Sequence, residues 1–384
     1  MRKIPFISII MPVYNAKLFV KKSIESILNQ DFDDFELILV DDGSCDGSAS
    51  ICDEFARLDS RVVLLHQNNM GTSSARNAGL KIAKGKYITF CDHDDEYASG
   101  MLKSNYEVAK KYDADVVCCS VRIIYPHGKG SFIHTMSLPT KVYGPESSCE
   151  LVKELKYDNN TLFGYVWNHW YRRDVVEKLQ FETKFKHGHE DQVFNLCVVD
   201  RLKGNFVFNS STFYQHYSRP NSSSKTYDRK SDKTIQETLL LFDYEYNFAL
   251  KYQECSLSNG GHVLVADLYV LYNRCNLKNR RELNILRNCN YIKQYPLSLH
   301  ADEKLLLFCF RHVYPLFKIL CGMEWARYNP GEKEMILSTK ELNFWETPLC
   351  GFFLNLYESK RGRWMFVLCN TLIRIFLIPF NLLK

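Results

Sequence analysis

Five apolar runs near the beginning of the chain, separated by segments with helical spacing, are the feature that most restricts its fold. The runs are rich in Ile, Val, Leu and Phe and cover residues 6–13, 35–40, 61–66, 86–91 and 114–125. Between the first two, Val20, Ile24 and Ile27 recur three or four positions apart, as on one face of a helix. Continuously apolar strands that alternate with helices indicate a mainly parallel sheet covered by helices on both faces. We therefore predict an α/β fold here.

The change of pattern along the chain predicts three regions. Residues 1–125 carry the alternation, residues 126–228 are irregular and contain no βαβ repeat, and residues 229–384 have mostly helical spacing. We expect the middle region to complete a site over the same sheet. A chain of 384 residues, 46% of them hydrophobic and 24% charged, is long enough for more than one core. Its net charge of +5 is too mild to predict a nucleic acid partner.

Polar clusters follow the first four apolar runs, at the point where each predicted strand ends. They cover residues 12–15, 41–48, 68–77 and 92–97. In open α/β sheets ligands bind beyond the carboxyl ends of the strands, and these ends meet at one edge of the sheet. The four clusters therefore predict a single binding site.

The fourth cluster places four carboxylates and an imidazole in five consecutive positions, 92–96. Carboxylates this close repel one another and raise one another's pKa unless a positive charge lies among them. Asp92 and Asp94 at a strand end can offer oxygen ligands to Mg²⁺ or Mn²⁺, which accept one or two carboxylates and substrate phosphates. The alternative is that Asp94 or Asp95 caps the following helix. The pattern alone leaves both interpretations open.

Two further polar residues suit a nucleotide. Asp42, which with Asp41 ends a wholly apolar run, can accept a hydrogen bond from a base N–H or a ribose hydroxyl; a turn is the alternative. Arg76 follows a Gly-Thr-Ser-Ser stretch at a predicted helix start, where backbone N–H groups and a guanidinium suit a diphosphate; a surface Arg is the alternative. No G-x-G-x-x-G follows the first strand, which disfavours a dinucleotide site.

Three stretches in the same order and spacing resemble glycosyltransferase family 2: SIIMPVYN, VDDGSCDGS and NNMGTSSARNAGLKIAKGKYITFCDHDD, within residues 8–95. The resemblance implies inverting, metal-dependent enzymes that use nucleotide-sugar donors. It implies a GT-A type fold, with a mainly parallel sheet flanked by helices, and we expect a mostly helical C-terminal region to follow. Residues 1–125 would then be the nucleotide-sugar-binding half of the domain.

The resemblance implies a role for each matching residue on the donor side. The nucleotide-sugar would be bound by Pro12, Tyr14, Asp42, Arg76 and Asp92. Pro12 and Tyr14 would line the nucleotide pocket, and Asp42 would contact the uracil. Arg76 would lie near the base and the diphosphate, and Asp92 would face the ribose. The metal, Mn²⁺ or Mg²⁺, would be bound by Asp94.

Residues 126–228 resemble the acceptor half of the same family. The matching stretches are WNHWYRRDVVEKLQF and GHEDQVFN, at 167–181 and 188–195. By this resemblance Asp191 is the catalytic base, with Glu190 beside it, and a carboxylate suits the task of taking a proton from an acceptor hydroxyl. The alternative is that both acids only supply negative charge at the N-terminus of a helix.

The chain departs from the family pattern at several positions. His169 stands where Lys is usual, and His216 and Tyr217 stand where Tyr and Arg are usual. Arg219 keeps its place in the segment that contains His216 and Tyr217, YQHYSRPNSSS at 214–224, whose implied role is to hold the diphosphate.

The last 24 residues, 361–384, are mostly apolar, with Arg and Asn spaced so that they share one stripe of a helix. We expect this helix to lie on a membrane surface with basic residues facing anionic headgroups; packing on residues 304–320 is the alternative. The cysteines lie mainly in apolar runs without a C-x-x-C pair, which is typical of a reducing compartment. We therefore expect a cytoplasmic protein, peripheral on the inner face of the membrane.

These patterns together predict an enzyme that moves a sugar from a UDP-sugar to a hydroxyl of a glycan or lipid-linked acceptor, in cell-surface polysaccharide synthesis. The alternative is a sugar-nucleotide-binding partner or regulatory subunit that has no transfer activity. Asp191 and Asp94 favour the enzyme, because a degenerate copy would be expected to lose its base or its metal ligand.

Overall fold

A computed structural model describes most of the first 219 residues and one later helix. The described residues are 4–127, 130–136, 139–152, 154, 164–186, 188–219, 232–252 and 288–289. The chain divides into two compact units, residues 1–227 and 228–384. The division of the first unit into a donor half and an acceptor half stays a prediction.

The first unit begins with the predicted alternation of strands and helices. The strands are β1 (Ile7–Val13), β2 (Phe35–Asp41), β3 (Val62–His66) and β4 (Tyr87–Phe90). The helices are α1 (Val20–Leu28), α2 (Ser48–Leu58) and α3 (Thr72–Ile82). The strands pair in parallel in the order β3-β2-β1-β4. This confirms the predicted α/β fold with a parallel sheet flanked by helices.

The rest of the first unit extends the same sheet. Its strands are β5 (Glu96–Tyr97), β6 (Ala114–His127), β7 (Gly130–Met136), β8 (Lys141–Tyr143), β9 (His169–Arg172) and β10 (Asn205–Tyr217). Its helices are α4 (Met101–Lys111), α5 (Ser148–Val152), α6 (Arg173–Val176) and α7 (Glu190–Val199). β9 pairs antiparallel with both β4 and β6, and β10 pairs parallel with β6. The sheet is therefore mixed: β1–β4 pair in parallel as predicted, β6 and β10 also pair in parallel, and β9 is antiparallel to both of its neighbours.

One closely packed part of the core of the first unit lies where α3 packs on β1. Every residue of β1 is buried. A Cβ at position 79 would lie 2.5 Å from Cγ2 of Ile10, so only glycine allows α3 to approach the strand this closely. This close packing fixes the position of Arg76, three residues earlier on the same helix.

β9 is a buried strand that lies between β4 and β6 in the sheet. The Thr89 hydroxyl donates to the His169 backbone carbonyl at 2.7 Å, and Trp170 and Tyr171 are fully buried. His169 is 1% exposed, and burial lowers its pKa to about 3, which keeps the imidazole neutral. The position where the family usually has Lys therefore packs in the core and does not reach the site.

The described part of the second unit is mainly one helix, α8 (Asp232–Lys251). Its Leu241, Phe242 and Phe248 side chains are buried. In the part of the chain that the structure describes, no helix is long and apolar enough to cross a membrane. The amphipathic segment 361–384 and its alternative packing partner, 304–320, lie outside the described residues.

Candidate active site

The first carboxylates of the site lie at the carboxyl end of β2. Asp42 is 3% exposed, and its Oδ1 accepts hydrogen bonds from Nε2 of Gln67 at 2.7 Å and the backbone N–H of Met70 at 2.9 Å. Its Oδ2 accepts from the N–H of Gly71 at 2.8 Å. A carboxylate can accept about four hydrogen bonds, so these three leave room for one ligand donor. Asp41, beside it, binds Nδ1 of His66 at 3.0 Å.

The end of β1 forms a second part of this edge. The Pro12 carbonyl accepts a hydrogen bond from Nδ1 of His93 at 3.1 Å, which ties the end of β1 to the acidic segment after β4. Tyr14 follows β1 directly, and 44% of it is exposed. Pro12 and Tyr14 therefore lie at the carboxyl end of β1, and their place in a nucleotide pocket stays a prediction.

Arg76 places a positive charge among the acids. It joins the acidic segment after β4, residues 92–96, to the start of α7; we call this acidic segment the β4 cluster. Its Nη1 lies 2.6 Å from Oδ1 of Asp191 and 3.2 Å from Oε1 of Glu190. Its Nη2 lies 3.1 Å from Oδ1 of Asp92. Arg76 is only 3% exposed, so the alternative of a surface Arg is wrong. We call Arg76, Asp92, Glu190 and Asp191 the Arg76 cluster.

Long-range contacts bring the Arg76 cluster together. Asn77, next to Arg76, exchanges two hydrogen bonds with the backbone of Phe181, at 3.0 and 2.8 Å. Phe181 then stacks on Phe194 of α7 with ring centroids 4.2 Å apart. The helix that begins at Glu190 is thereby held against α3. Because these contacts join residues about a hundred positions apart, they bring Asp191 to the guanidinium only in the folded unit.

The environment of Asp191 makes it a stronger base than an ordinary aspartate. The residue is 9% exposed, and its Oδ2 accepts from the backbone N–H of Val166 at 3.3 Å. Burial raises the pKa of Asp191, and the charge of Arg76 opposes this shift. Burial would lower the pKa of Arg76, but Asp191 and the other two carboxylates raise it above its usual value. A buried carboxylate with a raised pKa beside a fixed cation suits proton abstraction.

The end of β10 supplies further donors to the acidic segment after β4. Asp95 is fully buried, and its Oδ2 accepts from the Tyr214 hydroxyl at 2.9 Å and lies 3.0 Å from Nδ1 of His216. Its Oδ1 accepts from the N–H of Tyr217 at 2.8 Å. Burial raises the pKa of Asp95 to about 6, and His216 opposes this shift. Arg219 completes these contacts, because its Nε lies 3.2 Å from Oδ2 of Asp94 and its Nη2 donates to the Asp94 carbonyl.

We call Tyr214, His216, Tyr217 and Arg219 the β10 clamp. The clamp also fixes Asp92, whose backbone N–H donates to the Tyr214 hydroxyl at 3.1 Å. Together with Arg76, the clamp supplies the positive charges that the acidic segment requires.

Sequence reasoning missed Asp95 as a site residue, and it gave no role to Tyr214 although the matched segment YQHYSRPNSSS begins with that residue. It considered Asp95 only as a possible helix cap, but α4 begins after Gly100 and has no side-chain capping hydrogen bond. No sequence signal identifies the pairing, because Tyr214 lies 119 positions from Asp95. The expected site residues form two groups, the Asp41–Asp42 turn and the acidic segment with its partners, and no hydrogen bond between the two carboxylate groups is among the described contacts.

The donor set of the acidic segment fits a divalent cation that is shared with a substrate. Oδ2 of Asp94 faces Arg219 and Oδ1 of Asp92 faces Arg76, so each carboxylate keeps a second oxygen outside these pairs. Within the described ranges, no group of three or more His, Cys, Asp or Glu residues could hold a metal alone. Mg²⁺ and similar ions commonly take one or two carboxylates and complete their coordination with water and phosphate. The residues therefore fit a cation bound together with a diphosphate.

Comparison with known proteins identifies relatives of this chain. The family described as Glycosyl transferase family 2 matches residues 8–180. The uncharacterized glycosyltransferase EpsJ of Bacillus subtilis is 36% identical over 214 residues, which are 52% of this chain and 58% of EpsJ. The cholesterol galactosyltransferase of Borreliella burgdorferi is 30% identical over 246 residues, which are 61% of this chain and 67% of that enzyme. For three further curated relatives the matched share of their length is 32%, 37% and 55%, so the match often spans only part of a longer protein.

A solved structure shares the fold. The crystal structure of S. aureus TarS 1-349 in complex with UDP-GlcNAc has a TM-score of 0.62 and 18% identity, and the match covers 85% of this chain and 92% of that one. The family match runs from β1 through β9 and includes the strand-end motifs and Arg76. With two thirds of the Borreliella enzyme matched at 30% identity, the chain belongs to glycosyltransferase family 2.

Proposed function

We propose that this protein is an inverting glycosyltransferase that moves a sugar from a UDP-sugar to a hydroxyl of a glycan or lipid-linked acceptor, in cell-surface polysaccharide synthesis. The observation that carries the proposal is the Arg76 cluster. One buried guanidinium lies within 3.2 Å of the base candidate Asp191 and of the donor-side Asp92. A general base and a donor-side carboxylate this close can act on the two reactants of one displacement.

In the proposed reaction Asp191 takes the proton of the acceptor hydroxyl. The acceptor oxygen forms a bond to the anomeric carbon while the bond from that carbon to the diphosphate oxygen breaks. UDP leaves with the bonding electron pair, and a single displacement inverts the configuration. A carboxylate positioned for such proton removal contributes roughly 10²–10⁴-fold to the rate. The raised pKa of Asp191 supports this role, because burial makes the carboxylate more basic.

The donor would lie along the carboxyl edge between β1, β2 and β4. Asp42 has capacity for one more hydrogen bond, which suits a uracil N–H, and the exposed ring of Tyr14 suits a planar base. TarS, which shares the fold, has been crystallised with UDP-GlcNAc. This likeness supports a nucleotide-sugar donor for the present chain, and the sugar itself stays open.

Mn²⁺ or Mg²⁺ would be held by Asp94, with Asp92 beside it, and would neutralise charge on the departing diphosphate. Arg219 would share this task, because its guanidinium already lies 3.2 Å from Asp94. His216 would hold the β10 clamp against the acidic segment through its contact with Asp95.

The surroundings of Asp191 support a sugar acceptor. Tyr165 immediately precedes Val166, whose N–H binds Asp191. The ring of Tyr165 stacks on Trp167 at 4.5 Å, and Trp167 stacks on Tyr214 at 4.3 Å. Trp167 and Tyr214 are almost fully buried, so of these three rings only that of Tyr165 keeps a partly exposed surface for an acceptor. Rigid aromatic rings with a few polar groups are typical of small-ligand pockets.

The test is to incubate the full chain with a panel of UDP-sugars and Mn²⁺ and to measure UDP release with and without glycan acceptors. We expect release from one or a few donors, increased by a suitable acceptor. A protein that binds UDP tightly but releases none from any donor would instead be the non-catalytic sugar-nucleotide-binding partner.

The metal is tested separately by UDP binding. Calorimetry should show tighter binding of UDP with Mn²⁺ than with a chelator, and Asp94→Ala should abolish that difference. Equal affinity in both conditions for the wild-type protein would remove the metal from the proposal. An Asp94→Ala variant that keeps the difference would show that Asp94 is not the ligand.

A further inference from the structure

The position of Arg76 differs from what the family resemblance implies. The resemblance places this residue near the nucleotide base and the diphosphate. In the structure both of its Nη atoms already bind carboxylates, at 2.6, 3.2 and 3.1 Å. Its Nε is buried and has no hydrogen-bond partner among the described residues. These contacts leave the guanidinium facing the base and not an open phosphate site.

We propose that Arg76 is a positioning residue for the base: it fixes the carboxylate of Asp191 for proton abstraction and joins it to the donor-side Asp92. This inference rests on the proposed transfer function. It assigns Arg76 to the acceptor chemistry of the site instead of to recognition of the nucleotide.

The carboxylate of Asp191 has a fixed orientation. Oδ1 lies 2.6 Å from Arg76 and Oδ2 accepts from the Val166 N–H at 3.3 Å, so a different partner holds each oxygen. A charge-assisted contact of this length is at the strong end of hydrogen bonds. If Arg76 is lost, the longer Val166 contact is the one that remains for this carboxylate among the described hydrogen bonds.

The guanidinium of Arg76 is also held in place by packing. It lies over the ring of Phe181 at 5.2 Å and over the ring of Phe90 at 6.0 Å. Asn77, the next residue on α3, is fixed to the backbone of Phe181. A group packed against two rings on a fixed helix is pre-organised, which is what a positioning residue requires.

The contacts of Arg76 with Asp191 and Asp92 require the planar, forked guanidinium of an arginine. Nη1 faces the base and Nη2 faces Asp92, so the two ends of one planar group serve the acceptor and the donor side. A lysine ammonium is a single point charge and lacks the planar fork that faces both carboxylates. Arg76→Lys therefore keeps the charge while breaking the link.

The experiment compares Arg76→Lys with Arg61→Lys as a matched control. Arg61 also pairs with two carboxylates, Asp59 and Asp33, but outside the site. With the UDP-sugar that the panel identifies, Arg76→Lys should lower kcat about 10²-fold, the loss expected for a misplaced catalytic group. Its Kd for UDP with Mn²⁺ should change less than about threefold, because the proposal gives Arg76 no contact with the nucleotide. Arg61→Lys should change neither.

A reversed result would overturn the proposal. If Arg76→Lys weakens UDP binding tenfold or more while kcat at saturating donor is kept, Arg76 is a nucleotide ligand. The double variant Arg76→Lys, Asp191→Asn gives a second readout. If Arg76 acts through Asp191, the double variant should be no slower than Asp191→Asn alone; additive losses would contradict the inference.

A measurement on the wild-type protein covers the case in which the variant does not fold. In a crystal structure with UDP and Mg²⁺, Nη1 of Arg76 should remain within hydrogen-bond distance of Asp191. A guanidinium that has moved from Asp191 to the diphosphate would contradict the inference. The crystal structure and the UDP-binding measurement do not require transfer activity. They can therefore contradict the role proposed for Arg76 independently of whether the protein proves to be a glycosyltransferase.

Discussion

Two carboxylate clusters at the same sheet edge are stabilised in different ways. After β2, Asp42 is satisfied by backbone amides only 28 and 29 positions away. After β4, Asp95 and Asp94 are satisfied by side chains and backbone of the β10 clamp, 119 to 125 positions away. Arg76 likewise reaches Asp191 across 115 positions. The β2 cluster, Asp41 and Asp42, is held by residues 66–71, from the end of β3 to the residue before α3, within the β1–β4 part of the sheet. The β4 contacts with Asp191 and the β10 clamp form only when residues 164–219 are docked on β1–β4.

This difference separates two kinds of site. A carboxylate held by backbone amides keeps its geometry as long as the segment that carries those amides, here residues 70–71, stays in place. A carboxylate held by distant cations depends on tertiary packing, and removing one partner leaves a buried charge without compensation. Changes in the β4 cluster should therefore affect catalysis and stability more strongly than equivalent changes near β2.

The largest expected effect is that of Asp191→Asn. The side chain keeps its shape but can no longer take a proton, so transfer should fall roughly 10²–10⁴-fold. Binding of UDP with Mn²⁺ should be retained, because the base acts on the acceptor. Transfer assays and calorimetry on the same preparation measure the two effects. Asp174→Asn, at an exposed position on α6, is the control and should be as active as wild type.

The pH dependence of wild-type transfer checks the same residue. Burial raises the pKa of Asp191, so activity should fall as the pH drops through a value above the ordinary range for aspartate. Transfer that stays constant down to that ordinary range would mean that another group accepts the proton. Substantial activity in Asp191→Asn would lead to the same conclusion.

A smaller effect is expected for the stability of Asp95→Asn. Both carboxylate oxygens accept hydrogen bonds, and an amide nitrogen in place of either would face a donor from Tyr214, His216 or Tyr217. We expect a loss of about 2–4 kcal/mol in the free energy of unfolding, which is typical of a broken buried network. Urea denaturation of the full chain measures it.

The matched control for this change is Asp53→Asn, near the β2 cluster. Asp53 also contacts a histidine, His66, at 3.2 Å, but its side chain is 62% exposed. Exposed ion pairs contribute about 0–1 kcal/mol, so this loss should be much smaller. Similar losses in the two variants would remove the distinction between the local and the docked cluster.

The same distinction explains how much could be predicted from sequence. The first four apolar runs became β1–β4 and the fifth became β6, because periodicity and strand-end turns depend on neighbouring residues. The turn after β2 was also predictable, since Asp and Gly at positions 41–47 favour a turn by local hydrogen bonds.

Long-range pairing was the part that sequence could not supply. β9 has only four residues, His169–Arg172, and it pairs antiparallel between strands that are far apart in the chain. The partners of Asp95 and Arg76 lie more than a hundred positions away, and no spacing rule connects them. Family resemblance named Asp191 and Arg76 but assigned them to opposite sides of the reaction, whereas the structure joins them.

The smallest expected effect is the pH dependence of the stability that the ion pairs of His66 contribute. It tests whether the geometry of Asp42 depends on these outer ion pairs. Nδ1 of His66 lies 3.0 Å from Asp41 and Nε2 lies 3.2 Å from Asp53, with 48% of the side chain exposed. The contact with Asp41, together with that of Asp53, raises the pKa of His66 above 6.5. A histidine with a raised native pKa stabilises the fold fully below its unfolded pKa and loses this contribution as the pH rises through the native value.

His66→Gln should therefore cost more stability at pH 5.5 than at pH 8, by less than about 1 kcal/mol because the pair is half exposed. Urea denaturation of both proteins at the two pH values measures the difference. An equal loss at both pH values would mean that the imidazole is not charged in the native state. Catalysis should be unaffected at either pH, since Asp42 is held by backbone amides and by Gln67 and not by His66. A drop in UDP affinity in this variant would show instead that the β2 turn depends on its outer ion pairs.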